Sequence, residues 1–227
     1  FIATAKALGA PITSEYTLTA SIEQASTQAP LAVAQFRRAG VDTVVLAVNG
    51  IFAGQFVQAA QQQNATWQYL ASEDQGGTNA DDWLGSMPNG FSDILGIATT
   101  RIGEWRAGAP QPADEKACTD TYLSKSYATK FSTKDRSSLD YFGTVLACTE
   151  MDIFARAARL AGADLTRDRF VQAVQTLGRI GMAGFGSPGV FTSGRTDGAS
   201  AHRFVVAKSS CSCWQVYQRS PFYQDRY

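Results

Sequence analysis

The sequence predicts an α/β fold built from repeated βαβ units. Three short apolar runs carry that prediction, at residues 44–48, 67–71 and 94–98, each bounded by polar or glycine-containing turns. Segments with apolar residues three and four apart precede and separate the first of these runs, and strands that alternate with helices of about 10–15 residues pair in parallel. The composition agrees. At about 150 residues per domain, 227 residues make one large domain or two small ones. An apolar fraction of 44% with 18% charge describes a folded globular chain. Twenty basic and twenty acidic side chains cancel, which removes the cationic field expected of a nucleic-acid binder. No apolar run approaches the roughly 18 residues of a membrane span. His202 is the single histidine, so a His-based metal site is not expected.

The chain opens FIATAKALGAPITSEYTL, without an initiator Met or a charged-then-apolar leader, and any signal peptide is expected to be absent from it through processing or truncation. Phe1, Ile2, Ala5 and Leu8 follow helical spacing and Gly9 reads as the stop. An α/β unit would place a buried strand before that helix, so the numbering is expected to begin inside a larger fold. Polar/apolar alternation predicts a strand over 12–18, and a helix follows at 26–39, ending at Gly40. The next helix covers 53–63, with Phe56, Val57 and Ala60 on one side.

Residues 103–114 hold two prolines and two glycines and read as a crossover between lobes. Helices are expected at 113–127 and at 138–162, where Leu139, Phe142, Leu146, Ile153, Ala157 and Leu160 keep mostly helical spacing until Gly162 stops it. Thr166 suits the N-cap of a further helix whose stripe is Phe170, Val171, Val174 and Leu177. Past Gly178, closely spaced glycines punctuate short strands near 190–192, 203–207 and 214–217, so the last third reads as antiparallel and loop-rich. The closing PFYQDRY shows no regular pattern.

Catalytic and nucleotide motifs do not survive inspection. Gly184, Gly186 and Gly189 spell G-x-G-x-x-G, but Pro188 lies inside and a strand-like segment follows. A phosphate cradle needs a helix N-terminus there. Ser187 lacks the glycine two positions earlier that a nucleophile elbow needs, and His202 reads as a strand-edge or turn residue. Four cysteines allow three pairings. A bridge between Cys118 and Cys148 would staple two predicted helices and is the favoured pair. Cys211 and Cys213 either bridge within a turn or stay free, and no further ligands for a metal stand near them.

The loops after the strand ends carry more chemistry, because ligands of open α/β sheets bind beyond the carboxyl ends of the strands. One such end is Asn49, Gly50, Ile51 and Phe52; the other is Ser72, Glu73 and Asp74, with Gly76 and Gly77 behind. Asn49 offers donor and acceptor, Gly50 admits close backbone approach, and Glu73 or Asp74 can accept from a ligand ammonium or hydroxyl. The alternative is a solvated acidic loop in which Asp81 and Asp82 cap a helix.

In order, AKALGAPITSEYTL, FRRAGVDTVVLAVNGIFAGQFVQAAQQQ and WQYLASED resemble the second lobe of type I periplasmic-binding-protein-like receptors, in particular the branched-chain amino-acid class of ABC-transporter solute-binding proteins. DYFGTVLACTEMDIFARAARLAGADLTRDRFVQAVQTLG is similar to that family's long returning helix and its successor, and GVFTSGRTDGASAHRFVVAK with CSCW is similar to its closing strands, as in actinobacterial members. The resemblance spans nearly the whole chain and lacks the opening segment of the first lobe.

It implies a two-lobed fold of parallel sheets flanked by helices, present as a partial chain. Residues 1–102 would be the second lobe, 103–195 the remainder of the first, and 196–227 closing strands that return to the second. Crossovers are expected near 101–103 and 192–201. The implied protein is an extracytoplasmic receptor, a lipid anchor being one route to the membrane, that carries a small polar molecule to an ABC-transporter permease. It would have no cofactor, metal or catalytic step. The family's first contact loop falls on Asn49 and Gly50, and the acid that grips a ligand amino group falls on Glu73. Amino-acid-binding members often carry an aromatic in that first loop, so Asn-Gly here counts against a simple leucine-type ligand. The competing readings are a sensing receptor of the same fold and an α/β hydrolase or amidase.

Overall fold

The computed structural model describes residues 2–10, 12–18, 21–73, 77–126, 128, 130–195 and 198–224. Its helices are α1 (Ile2–Ala7), α2 (Ile22–Arg38), α3 (Gly50–Gln62), α4 (Ala113–Leu123), α5 (Leu139–Ala161) and α6 (Arg167–Gln175). The strands are β1 (Thr43–Val45), β2 (Gln68–Ala71), β3 (Ile94–Ala98), β4 (Gly178–Ile180), β5 (Gly189–Phe191), β6 (Ala201–Lys208), β7 (Cys213–Val216) and β8 (Tyr223–Gln224). The main sheet runs in the order β1-β2-β3-β6-β7, with β8 also on β6. Strands β1, β2 and β3 are parallel, in the register Val44–Tyr69–Ile94. From β3 outward the pairing turns antiparallel, Ile94 facing Ala207 and Ala207 facing Trp214. The chain therefore leaves the sheet after β3, builds a second half from α4, α5, α6 and the β4–β5 hairpin, and returns to pair beside β3.

Period-2 alternation sorts the sheet into two faces. Val44, Leu46, Tyr69, Ala71, Ile94, Ala98, Val205, Ala207 and Trp214 point to the face covered by α2 and α3, where they join Val33, Phe56, Val57 and Ala60 in the main core. Phe56 stacks on Trp67 at 5.7 Å between ring centres, and Phe36 closes the cluster edge-on. The opposite face leaves Val45 and Ile97 at 39% and 45% exposure. In the second half, α5 and α6 meet through Phe154 and Phe170, with centroids 5.3 Å apart. Ile180, Met182 and Phe191 form a smaller core with Ile153, Val174 and Leu177.

Local chemistry sets the helix starts. Asn49, Ser138 and Thr166 each turn a side-chain oxygen onto a first-turn N–H, of Phe52, Tyr141 and Arg169 respectively. The strand expected at 12–18 is not formed. No ladder partner reaches it among the described residues, and Gln35 of α2 instead donates its amide to Ser14 Oγ (3.0 Å) and the Glu15 carbonyl (2.8 Å). Three helices also differ in extent: α2 begins before the expected 26, α3 begins at Gly50 rather than 53 because Asn49 caps it, so that Gly50, Ile51 and Phe52 form its first turn rather than a loop, and α4 stops at Leu123. Strand β4, unread in the sequence, holds three residues and takes its identity from pairing with β5.

Cys118 and Cys148 bridge α4 to α5 with Cα atoms 6.1 Å apart. Cys211 and Cys213 also bridge, at 5.1 Å; the turn of 209–212, with Ser212 at φ 44°, brings together two side chains that an extended strand would hold apart.

Candidate functional site

The two halves meet along one seam. Past β3 the backbone of Thr99, Thr100 and Arg101 runs beside 184–186: Thr100 and Phe185 form an isolated antiparallel bridge, Arg101 N donates to Gly184 O (2.9 Å), and Gly186 N donates to Thr99 O (2.9 Å). Glycine is required in this crossing. A Cβ on Gly184, at φ 80°, would lie 2.7 Å from Val145, and one on Gly186 would enter the Phe222 ring. The G-x-G-x-x-G glycines thus serve chain crossing, and β5 rather than a helix follows them.

Glu73, at the carboxyl end of β2, is committed to this seam. Its Oε1 accepts from the backbone N–H groups of Thr99 (2.5 Å) and Thr100 (3.0 Å), and its Oε2 accepts from Thr99 Oγ1 (2.7 Å). Burial pushes its carboxyl above the ordinary value, and the three hydrogen bonds pull the other way. Asp74 lies outside the described residues. The other strand-end loop sits at the start of α3. Asn49 Oδ1 accepts from Phe52 N (3.1 Å), Phe52 is buried in the core, and Ile51 is exposed. A Cβ on Gly50 would come within 2.7 Å of Trp83 O, so this loop presses on the 3₁₀ turn Asp81–Ser86, while Trp83 Nε1 donates to Val48 O (3.3 Å). Both loops lie at the carboxyl end of the parallel strands, and no hydrogen bond joins Asn49 to Glu73 among the described residues.

Asp81 and Asp82, read as local caps, act across the seam. Asp81 Oδ1 accepts from Trp214 N (2.8 Å), and its Oδ2 takes Ser137 Oγ (2.7 Å) and pairs with Arg106. Asp82 Oδ2 accepts from Leu139 N (2.8 Å), so it caps α5 of the other half.

Several residues at the seam escaped sequence reasoning. Glu115 of α4 is 2% exposed. Its Oε2 accepts from Tyr141 OH (2.5 Å), which in turn accepts from Gln111 Nε2 (3.0 Å). Desolvation raises the Glu115 carboxyl, against the bond from Tyr141 and the nearby charge of Arg101. Arg101 Nε stands 3.7 Å from Glu115 Oε1 and donates to Phe185 O (3.0 Å), while its NH1 reaches Glu104 Oε2 (3.2 Å). Glu104 Oε1 holds Arg203 at 2.9 Å. A cavity of ≈ 20 Å³ lies among these groups, lined by Asn79, Thr100, Arg101, Glu115, Tyr141 and Val145. One sequence signal could have found Glu115: it sits three residues before Cys118, on the same helix face as a cysteine expected to be buried in a bridge.

No protein-family model and no curated protein sequence matches the chain. Solved structures do. A branched-chain amino acid ABC transporter protein from Thermus thermophilus with bound valine superposes with a TM-score of 0.62 at 17% identity, over 98% of this chain and 55% of its own. An ABC transporter substrate-binding protein from Aeropyrum pernix gives 0.68 at 10% identity, over 99% and 55%. This is the type I periplasmic-binding-protein fold. A fatty acid ABC transporter substrate-binding protein from Thermomonospora curvata shares it at a TM-score of 0.52 and 16% identity, over 86% of this chain and 46% of its own. The chain spans about half the length of each of these proteins. Among the described residues, no helix is long and apolar enough to cross a membrane, and no group of three or more His, Cys, Asp or Glu side chains is placed to hold a metal.

Proposed function

We propose that the chain belongs to an extracytoplasmic solute-binding receptor that captures a small polar molecule, an amino acid or a related amide or amine, between two lobes and delivers it to an ABC-transporter permease. One lobe is formed by 1–102 with 196–227, the other by 103–195. Capture needs no bond to be made or broken. A ligand that touches both lobes favours closure by its higher affinity for the closed arrangement. Asn49, Gly50 and Ile51 are proposed as one rim, with Phe52 buried behind them, and Glu73 as the other; Asp74, expected beside it, lies outside the described residues.

The observation that carries this reading is the grip of Glu73 on Thr99 and Thr100. It ties the strand-end loop, where ligands of open α/β sheets sit, directly to the backbone that crosses between the halves. Any solute that engages this end of the sheet also acts on the crossing. The named solutes of the similar structures, valine and fatty acid, belong to those proteins; the amine-bearing solute proposed here rests on Glu73 as the acid at the strand end.

A thermal-shift screen of amino acids, amides, polyols and aromatic acids tests the reading, because a ligand that binds only the folded state raises the unfolding temperature. Absence of any shift across the panel, together with turnover of an amide substrate, would replace the receptor with an enzyme. Given a ligand, Glu73→Gln should weaken binding of its amine by about 1.5–3 kcal/mol, the range for hydrogen bonds to charged groups. Unchanged affinity would leave Glu73 as a strut of the crossing and place the ligand contact elsewhere on the seam.

A further inference from the structure

We propose that the Cys211–Cys213 bridge is a thiol-exchange site, at which a low-molecular-weight thiol is taken up reversibly on Cys211 as a mixed disulfide. The site is independent of solute capture.

Two features separate this bridge from the one between Cys118 and Cys148. The first is access. Cys211 is exposed at the tip of the β6–β7 hairpin, whereas Cys118 is buried and Cys148 half-buried between α4 and α5. A thiolate attacks a disulfide at a sulfur it can reach, and exposed bridges are the labile ones. The second is what holds the sulfurs together. Cys118 and Cys148 are fixed by two separate helices, so their sulfurs stay neighbours when the bond is open. Cys211 and Cys213 are two residues apart, and the turn that joins their side chains sets Ser212 at φ 44°. A residue with a Cβ rarely adopts that conformation. Opening the bond lets Ser212 leave it, and the sulfurs then separate.

The surroundings suit both sides of the exchange. Gln215 Nε2 donates to the two sulfurs, at 3.7 Å from Cys211 Sγ and 3.8 Å from Cys213 Sγ. Lys208 O and Cys213 O lie 3.7 and 3.9 Å from Cys211 Sγ, where they can accept from its S–H once it is a thiol. A thiolate attacks Cys211 Sγ: a new S–S bond forms to the incoming sulfur, the Cys211–Cys213 bond breaks, and its electron pair goes to Cys213 Sγ. Gln215 Nε2 donates to the thiolate that leaves, which then takes a proton from solvent. One disulfide replaces another, so no oxidant or reductant is consumed. Return attack by the Cys213 thiolate expels the thiol and restores the bridge. The hairpin stays formed meanwhile, because β6 and β7 pair from Val205–Val216 to Lys208–Cys213 and Trp214 is buried in the core.

The test is equilibration of the protein with glutathione at stepped ratios of its reduced and oxidised forms, followed by acid quenching, alkylation and peptide mass mapping. Glutathione should appear on Cys211 with Cys213 alkylated, while the Cys118–Cys148 peptides stay linked. The ratios that half-open the two bridges should differ by at least about fivefold, the low end of what release from a left-handed conformation is worth. Gln215→Ala should slow the exchange several-fold with its circular dichroism unchanged. In Cys213→Ser, which cannot expel the thiol, glutathione should stay on Cys211. In Cys211→Ser, Cys213, 4% exposed, should remain unmodified. Glutathione on Cys213 in that variant, opening of Cys118–Cys148 at the same ratio or earlier, or no mixed disulfide at any ratio would overturn the site.

Discussion

Glu73 shows what one residue type at one position does and does not disclose. Its place after an apolar run marks it as a strand-end acid, and the structure puts it at the carboxyl end of β2. Its partners, Thr99 and Thr100, lie 26 and 27 residues onward and carry no pattern that announces a contact. Asn49 is similar: read as a two-way hydrogen-bonding group for a ligand, it spends its acceptor on the N–H of Phe52. Glu115 was missed because an acid inside a polar helix reads as solvent-facing until the bridge at Cys118 fixes which face turns inward. Burial has a pH consequence with a definite sign. Glu73 ionises in the folded state above its ordinary 4.5, so its contribution to stability is complete below that pH and is lost as pH rises through the raised folded value. Glutamine at this position keeps an acceptor for both backbone N–H groups and can donate to Thr99 Oγ1. Relative to wild type, Glu73→Gln should therefore gain stability as pH rises above the ordinary carboxyl value of 4.5, as followed by urea unfolding at successive pH values. A difference that stays flat with pH would show that the carboxylate pays no desolvation cost.

Elements were legible where their signal is local. The apolar run at 94–98 coincides with β3, and Thr166 and Gly162 mark a helix start and a helix stop that the structure keeps. The segment 12–18 has strand alternation but no neighbour to pair with, and alternation alone fixes a face and not a ladder. Strand β4 is the converse, three residues made a strand by a partner nine or more residues away. The two bridges should differ sharply in what they contribute. Cys118 and Cys148 close a separation of 30 residues, Cys211 and Cys213 one of two. Chain-entropy arithmetic gives about 3.5 kcal/mol for the first and about 1 kcal/mol for the second. Urea unfolding of the two Cys→Ala double variants should reproduce that order, and equal losses would point to native-state strain. Helix α3 offers a second comparison. Alanine normally stabilises a helix interior over glycine by about 1 kcal/mol. At Gly54, however, a Cβ would lie 2.0 Å from Ser86 O, a backbone atom of the adjoining turn. Gly54→Ala should therefore lower stability by about 1–3 kcal/mol, and a raised melting temperature would mean that the turn yields.

At the scale of the whole molecule, the seam is where distant parts of the chain are made to agree, and it was the least legible feature because nearly all its contacts are long-range. Arg203 enters from β6 and meets Glu104, 99 residues earlier, while its NH2 donates to Ile102 O and its guanidinium lies 4.4 Å over the Phe222 ring. Glu104 also faces Arg101, so one carboxylate serves two cations of unequal burial: the Arg203 side chain is 5% exposed and that of Arg101 37%. Removing the carboxylate should hurt chiefly through Arg203. A half-exposed pair such as Arg101 with Glu104 is worth about 0–1 kcal/mol, whereas stranding a buried cation costs about 3–5 kcal/mol. Glu104→Gln should thus cost about 3 kcal/mol, near the lower end because the amide oxygen still accepts. Arg203→Met should cost less, since Glu104 keeps Arg101 as a partner. If the pair locks β6 to the crossing, the double variant will be less destabilised than the sum of the singles by about 1–3 kcal/mol in a double-mutant cycle. Additive losses would mean that the crossing is held by its backbone bridges at 99–101 and 184–186 alone, and that the charges only decorate it.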